Sequence, residues 1–235
     1  MKRTYEKWFS PALERPMELL RFGHDGYPVV TFPTSMGRFF QYEDTGLVAR
    51  LEEKIDRGEL QLVCVDSVDT ESWYNESAPP AERGKRHERY DAYVRDEVVP
   101  FAQERANRSE IGVFGCSFGA YHAANFAGRH PDVTSKAVCF SGVYDVRRFT
   151  DGYWDETDYY NSPADYIANM SADWVEKLRR VQWVIATGEY DTLAPDNRNF
   201  GNVLTRQGIP NHTEIWHGVN GHDWEFWNDA VVRLL

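Results

Sequence analysis

A mostly parallel β-sheet flanked by helices, in one α/β domain spanning residues 1–235, is the fold class this sequence predicts. Three observations carry the expectation. Short apolar runs alternate with longer stretches of helical period, as in a sheet built from β-α-β units. A length of 235 residues suits one such domain and suffices for a buried core. Hydrophobic residues at 42% and charged residues at 27% are the proportions of a globular chain. No internal repeat, low-complexity tract or linker interrupts the pattern.

Taken in order, Met17 to Phe22 reads as a strand. The turn Gly23-His24-Asp25-Gly26 and the run Tyr27 to Phe32 follow, which suggests a hairpin-like start. Leu47, Val48, Leu51 and Ile55 recur at helical spacing, and Gly58 stands where that helix would stop. Leu60 to Val65 is a buried strand. Tyr90, Val94 and Val98 mark a long helix that Pro100 kinks or restarts. Ile111 to Phe114 is a strand, followed by an Ala-rich helix from about Ser117 to Arg129. Lys136 to Phe140, Val181 to Ala186 and Thr213 to Trp216 complete the strands. Helical segments lie around Phe200, Val203 and Leu204, and around Trp224, Trp227, Val231 and Leu234. Between Gly142 and Arg180 only Trp174 to Leu178 reads clearly as helix, and the segment is too short for a large lid.

The formal net charge of −11 excludes classes of partner. An acidic surface repels phosphate backbones and anionic headgroups, so neither nucleic acid nor a membrane is an expected partner. The basic cluster Arg83, Lys85, Arg86, His87 and Arg89 reads as a solvated helix face. Cys64, Cys116 and Cys139 have no metal-ligand spacing, and Cys64 and Cys139 sit in apolar strand-like runs. No secretory leader is read at Met1 to Lys7, and no run approaches the ~20 apolar residues of a membrane span. A reducing cytoplasm is the expected setting, with a homo-oligomer left open.

Gly115-Cys116-Ser117-Phe118-Gly119 matches G-x-S-x-G, between the strand Ile111 to Phe114 and the Ala-rich helix. The chemistry needs that context. A sharp strand-to-helix turn lifts the serine hydroxyl above the sheet, and the helix N-terminus aims N–H groups at a developing oxyanion. A serine is a weak nucleophile until a base takes its proton. His24 and His87 read as surface residues, while His122 and His130 ride on the helix after Ser117. His212 and His217 bracket the last strand. His222 follows that strand in the loop Gly218-Val219-Asn220-Gly221, so it is placed over the carboxyl edge of the sheet, where α/β sites gather. His222 is therefore the expected base and His217 the next choice.

Asp191 and Asp145 each follow a strand, and either is placed to orient the base. Asp191 is preferred because Leu193, Ala194 and Pro195 give its loop room to hold a buried carboxylate, with Asp196 capping the next helix. Ser117, Asp191, His222 is then the chain order of an α/β-hydrolase triad. The oxyanion hole needs two N–H donors: Phe118, and Ser35 from the loop Pro33-Thr34-Ser35-Met36-Gly37, with Met36 one residue away in register. Aromatic residues make up 14% of the chain, and Trp73, Tyr74, Tyr153, Trp154, Tyr159 and Tyr160 are candidates to wall a substrate or to pack.

These residues resemble the esterase family that includes esterase D (S-formylglutathione hydrolase) and the mycolyltransferases. The resemblance rests on Phe32-Pro33-Thr34-Ser35 entering Gly37-Arg38-Phe39, on Asp66 with Ser72-Trp73-Tyr74, and on Tyr93 through Pro100. It continues through Gly115 to Gly119, Gly188-Glu189-Tyr190-Asp191 and Gly221-His222-Asp223-Trp224. It implies an α/β-hydrolase fold with a small lid or none, acting without metal or cofactor on small-molecule acyl esters or thioesters. Ser117, Asp191 and His222 would be its triad. The sequence departs from relatives in lacking a histidine-glycine oxyanion motif and a secretory leader. An acyltransferase using the same acyl-enzyme and a non-catalytic binding protein on the same fold are the alternatives.

Overall fold

The computed structural model describes residues 1–235. Its strands are β1 Arg3–Ser10, β2 Arg15–Phe22, β3 Tyr27–Phe32, β4 Leu60–Val65, β5 Ile111–Cys116, β6 Thr134–Phe140, β7 Gln182–Gly188 and β8 Asn211–Trp216. They form a single eight-stranded sheet in the order β1-β2-β4-β3-β5-β6-β7-β8. All pairings from β4 through β8 are parallel, and β2 alone runs antiparallel to both its neighbours.

Strands buried on both faces read as unbroken apolar runs. β4 and β5 are buried along their whole length, and alternate residues enter two cores. Val30, Phe32, Val63 and Val113 pack on one face with Tyr90, Val94, Ala123, Ala124 and Phe200. Val29, Leu62, Phe114 and Cys116 pack on the other with Leu47, Leu51, Ile55, Trp227 and Val231. The helices Pro80–Tyr93, Phe118–Arg129 and Ala194–Arg206 thus cover one side, and Trp224–Leu234 covers the other.

The N-terminus differs from the sequence expectation. β2 and β3 are not a hairpin, because β4 lies between them and pairs with both. Arg3–Ser10 is a further strand, paired along its length with β2. An edge strand with only Ser10 buried offers no apolar face for sequence to show. Glu97 fastens it instead, accepting from Trp8 Nε1 at 2.8 Å and Ser10 Oγ at 2.7 Å.

The long helix is interrupted by a π turn, Val94–Val98, before resuming at Val99–Ala106. Pro100 has no N–H to donate, and its ring would strike the carbonyl four residues back, so a widened turn just ahead of it accommodates the ring. The basic cluster on Pro80–Tyr93 is not one solvated face. Arg83 is 4% and His87 2% exposed. Arg83 donates to the carbonyls of Ala78, Phe149 and Glu76, and His87 packs against Trp73 and Tyr121. Between β6 and β7 the chain makes a short turn, Arg147–Phe149, and small helices Glu156–Tyr160, Pro163–Tyr166 and Ala172–Leu178. No helix is long and apolar enough to cross a membrane.

Candidate active site

Ser117 stands between β5 and the helix Phe118–Arg129, at φ 56° and ψ −123°. An L-residue holds such a backbone only when its surroundings enforce it. The flanking glycines make the bend feasible. A Cβ on Gly115 would lie 2.1 Å from the Gly119 carbonyl, and one on Gly119 would lie 2.2 Å from the Phe32 carbonyl oxygen. Ser117 makes no side-chain cap to its helix. Its Oγ lies 3.1 Å from Nε2 of His222.

His222 follows β8 in a loop that is tied down. Ser141, at the end of β6, donates its hydroxyl to the Gly221 carbonyl and accepts from Trp227 Nε1 at 3.1 Å. A Cβ on Gly221 would stand 2.0 Å from the Gly188 nitrogen, so the loop lies directly on the end of β7. On its other side, the His222 imidazole has Nδ1 at 3.2 and 3.3 Å from the two carboxylate oxygens of Asp191.

The Asp191 side chain is fully buried. Burial pushes its carboxyl pKa up, but hydrogen bonds from His222, Thr187 and the Leu193 amide outweigh it and leave the pKa below the ordinary value. Thr187 Oγ1 donates to Oδ2 at 2.5 Å and Leu193 N to Oδ1 at 2.8 Å. Asp145 is partly exposed and serves its own turn, accepting from the Arg147 amide at 3.0 Å. Asp196 is not the cap of the next helix. Leu193 holds that position, and Asp196 sits in the first turn facing Arg148.

The loop after β3 sorts its amides. Thr34 N donates to Gln41 Oε1 at 2.9 Å and Met36 N to Asp69 Oδ2 at 2.8 Å. The amides of Ser35 and Phe118 have no acceptor within the protein. Asp69 was not foreseen from sequence. Its other oxygen is 2.9 Å from His122 Nε2, and both side chains are buried. His122 thereby links the helix carrying Phe118 to the Ser35 loop.

Ser35, Ser117, Phe118 and His222 line a cavity of about 260 Å³, walled further by Tyr74 and Phe149. Of the six aromatics considered from sequence, Tyr74 borders this cavity, and Trp73 borders an adjoining one. Trp154 instead lies under the Arg147 guanidinium. Tyr160 lines a larger hollow of about 600 Å³ beside Arg129 and Trp174. That hollow is lined by no serine or cysteine, and its Arg129 is paired with Glu88 at 2.7 Å. His217 is solvent-exposed beside Glu189, and His130 pairs with Asp91 at 2.8 Å.

A serine at this strand-to-helix bend, on a sheet of this order, defines an α/β hydrolase of the serine-hydrolase class. The chain belongs to the Esterase family, whose model, described as "Putative esterase", matches residues 12–234. It is a carboxylic-ester hydrolase on that scaffold, working through an acyl-enzyme. No curated protein matches it by sequence. Among solved structures it is similar to a ferulic acid esterase, at 19% identity and TM-score 0.80, covering 100% of this chain and 96% of that one. It is also similar to an S-formylglutathione hydrolase from Agrobacterium tumefaciens, at 15% identity and TM-score 0.74, covering 98% and 91%. A ferulic acid esterase from Anaeromyces mucronatus, in complex with ferulic acid, matches at 13% identity and TM-score 0.72, covering 99% and 89%.

Proposed function

We propose that Ser117 is the nucleophile, His222 its base and Asp191 the orienting carboxylate, with the amides of Phe118 and Ser35 as the oxyanion hole. The observation that carries this reading is the placement of His222, 3.1 Å from Ser117 Oγ and 3.2 Å from Asp191. Ser117 Oγ attacks the ester carbonyl while His222 Nε2 takes its proton. The tetrahedral oxygen accepts hydrogen bonds from the two amides that no protein group engages. His222 then protonates the leaving oxygen or sulfur, and the acyl group remains on Ser117. Water, deprotonated by the same imidazole, releases the acid. Asp191 holds the imidazole with Nδ1 protonated and stabilises its cation. Ser117, His222 and water carry every proton, so the scheme calls for no cofactor.

A cavity of about 260 Å³ walled by Tyr74, Phe118 and Phe149 suits a small acyl or aryl group. Ferulic esters and S-formylglutathione, named for the similar structures, join activated p-nitrophenyl esters as substrates to try. We read residues 1–235 as one domain. The three thiols are all free and buried, which supports a reducing compartment such as the cytoplasm.

The test is Ser117→Ala on a p-nitrophenyl ester. Its kcat should fall on the order of 10⁴-fold or more with the fold intact by circular dichroism. Turnover within tenfold of wild type would remove Ser117 from this role.

A further inference from the structure

Arg148, in the short turn after β6, borders two hollows. One is the 260 Å³ cavity of Ser117 and His222; the other, of about 540 Å³, adjoins it across Tyr74 and Phe149. In the inner cavity Arg148 is the only side chain with a permanent charge. A guanidinium carries five N–H donors. That of Arg148 makes no hydrogen bond within the protein, and the nearest carboxylate, Asp196, stands 3.5 Å from one terminal nitrogen.

The neighbouring arginines are differently employed. Arg147 pairs with Asp165 at 2.7 Å and covers the Trp154 ring. Arg83 donates to the carbonyls of Glu76, Ala78 and Phe149 and pairs with Asp151 at 3.1 Å. Its bonds tie together the two loops that frame the outer hollow. Arg83 helps wall the outer hollow, Arg147 is engaged outside both, and Arg148 is left bordering the cavity.

The acidic groups nearby are accounted for. Asp196 meets the guanidinium at one edge only, Asp151 is taken by Arg83, and Glu76 borders the outer hollow rather than the inner one. A chain of net charge −11 repels anions elsewhere on its surface. A fork of donors that meets Asp196 at one edge and makes no hydrogen bond within the protein therefore matches a planar, bidentate acceptor.

We infer that Arg148 is a carboxylate-recognising subsite, and that the enzyme prefers small esters with a carboxylate close to the scissile bond. The inference rests on Ser117 and His222 marking the reacting end of the cavity. The carboxylate can belong to the acyl group or to the leaving group, and matched substrate pairs distinguish these. p-Nitrophenyl hemiglutarate against its neutral methyl ester places it on the acyl side; 4-acetoxybenzoate against its methyl ester places it on the leaving side.

In wild type, kcat/KM should favour the anion in one pair on the order of tenfold or more, the effect of a charge-assisted bond. Arg148→Gln should bring that ratio near unity, and Arg148→Lys should give an intermediate value. Binding of glutarate by calorimetry supplies a readout that needs no turnover. Its dissociation constant should rise on the order of tenfold in Arg148→Gln, confirmed folded by thermal unfolding. An anion preference or a glutarate affinity unchanged in Arg148→Gln overturns the subsite. A wild type inactive on every ester would instead count against the Ser117 reading, while glutarate binding still decides the role of Arg148.

Discussion

A carboxylate orients an imidazole only if it reaches Nδ1 and keeps its charge while buried. Asp191 meets both conditions, because Thr187 and the Leu193 amide stabilise its ionised form. Asp145 fails the first, since it is partly exposed and bonded to its own turn rather than to the imidazole. Asp191→Asn should therefore lose on the order of 10⁴ in kcat, whereas Asp145→Asn keeps near wild-type turnover on the same activated ester. The reverse outcome would move the acid one strand earlier. Asp69 is expected to act as a positioning residue, with a different signature. It accepts from His122 at one oxygen and from Met36 N–H at the other. An asparagine amide turns a donor toward one of those donors, so Asp69→Asn loosens the loop that presents the Ser35 amide. The expected result is a kcat lower on the order of tenfold with KM little changed, because the oxyanion contact forms only in the transition state. A purely structural role would lower thermal stability and leave that split unseen.

Elements were legible where burial writes itself into the sequence. β4 and β5 are buried on both faces, and their apolar runs give them away; Gly115 to Gly119 then marks the turn that follows. β1 escapes because an edge strand that buries only Ser10 shows no apolar face, even though it pairs as a hairpin with the next strand in sequence. Between Gly142 and Arg180 only Ala172–Leu178 was legible; the other helices, of four or five residues, are too short to show a helical period. Glu156–Tyr160 begins with a reciprocal capping box between Asp155 and Asp158. Asp158 carries an unpartnered buried oxygen, and burial pushes its pKa up to about 6. Because the folded state holds that proton more tightly than the unfolded chain, its contribution is intact below the unfolded pKa of about 4. It is lost as pH rises through about 6. Asp158→Asn keeps an acceptor for the cap and removes the titration. Its melting temperature should gain on wild type as pH rises from about 4 to 6, then hold that margin at higher pH. A difference independent of pH between 4 and 8 would contradict the assignment.

At the scale of the whole molecule, the sheet order brings the ends of β5, β7 and β8 together, and with them Ser117, Asp191 and His222. That convergence was readable in outline, because the serine carries a local motif and the other two follow strands in a fixed order. Arg148, Phe149 and Asp69 were not readable. Each is brought to the cavity or its loop across space, by a turn or a buried pair that leaves no periodic trace. The central claim is that one serine, activated by one histidine, is the reacting group of this esterase. The most direct measurement is mass mapping of the enzyme after exposure to a fluorophosphonate. A single phosphonylated peptide carrying Ser117 is predicted, with labelling abolished in Ser117→Ala and slowed on the order of a hundredfold or more in His222→Ala. An adduct on any other residue, or labelling that persists in Ser117→Ala, would contradict it.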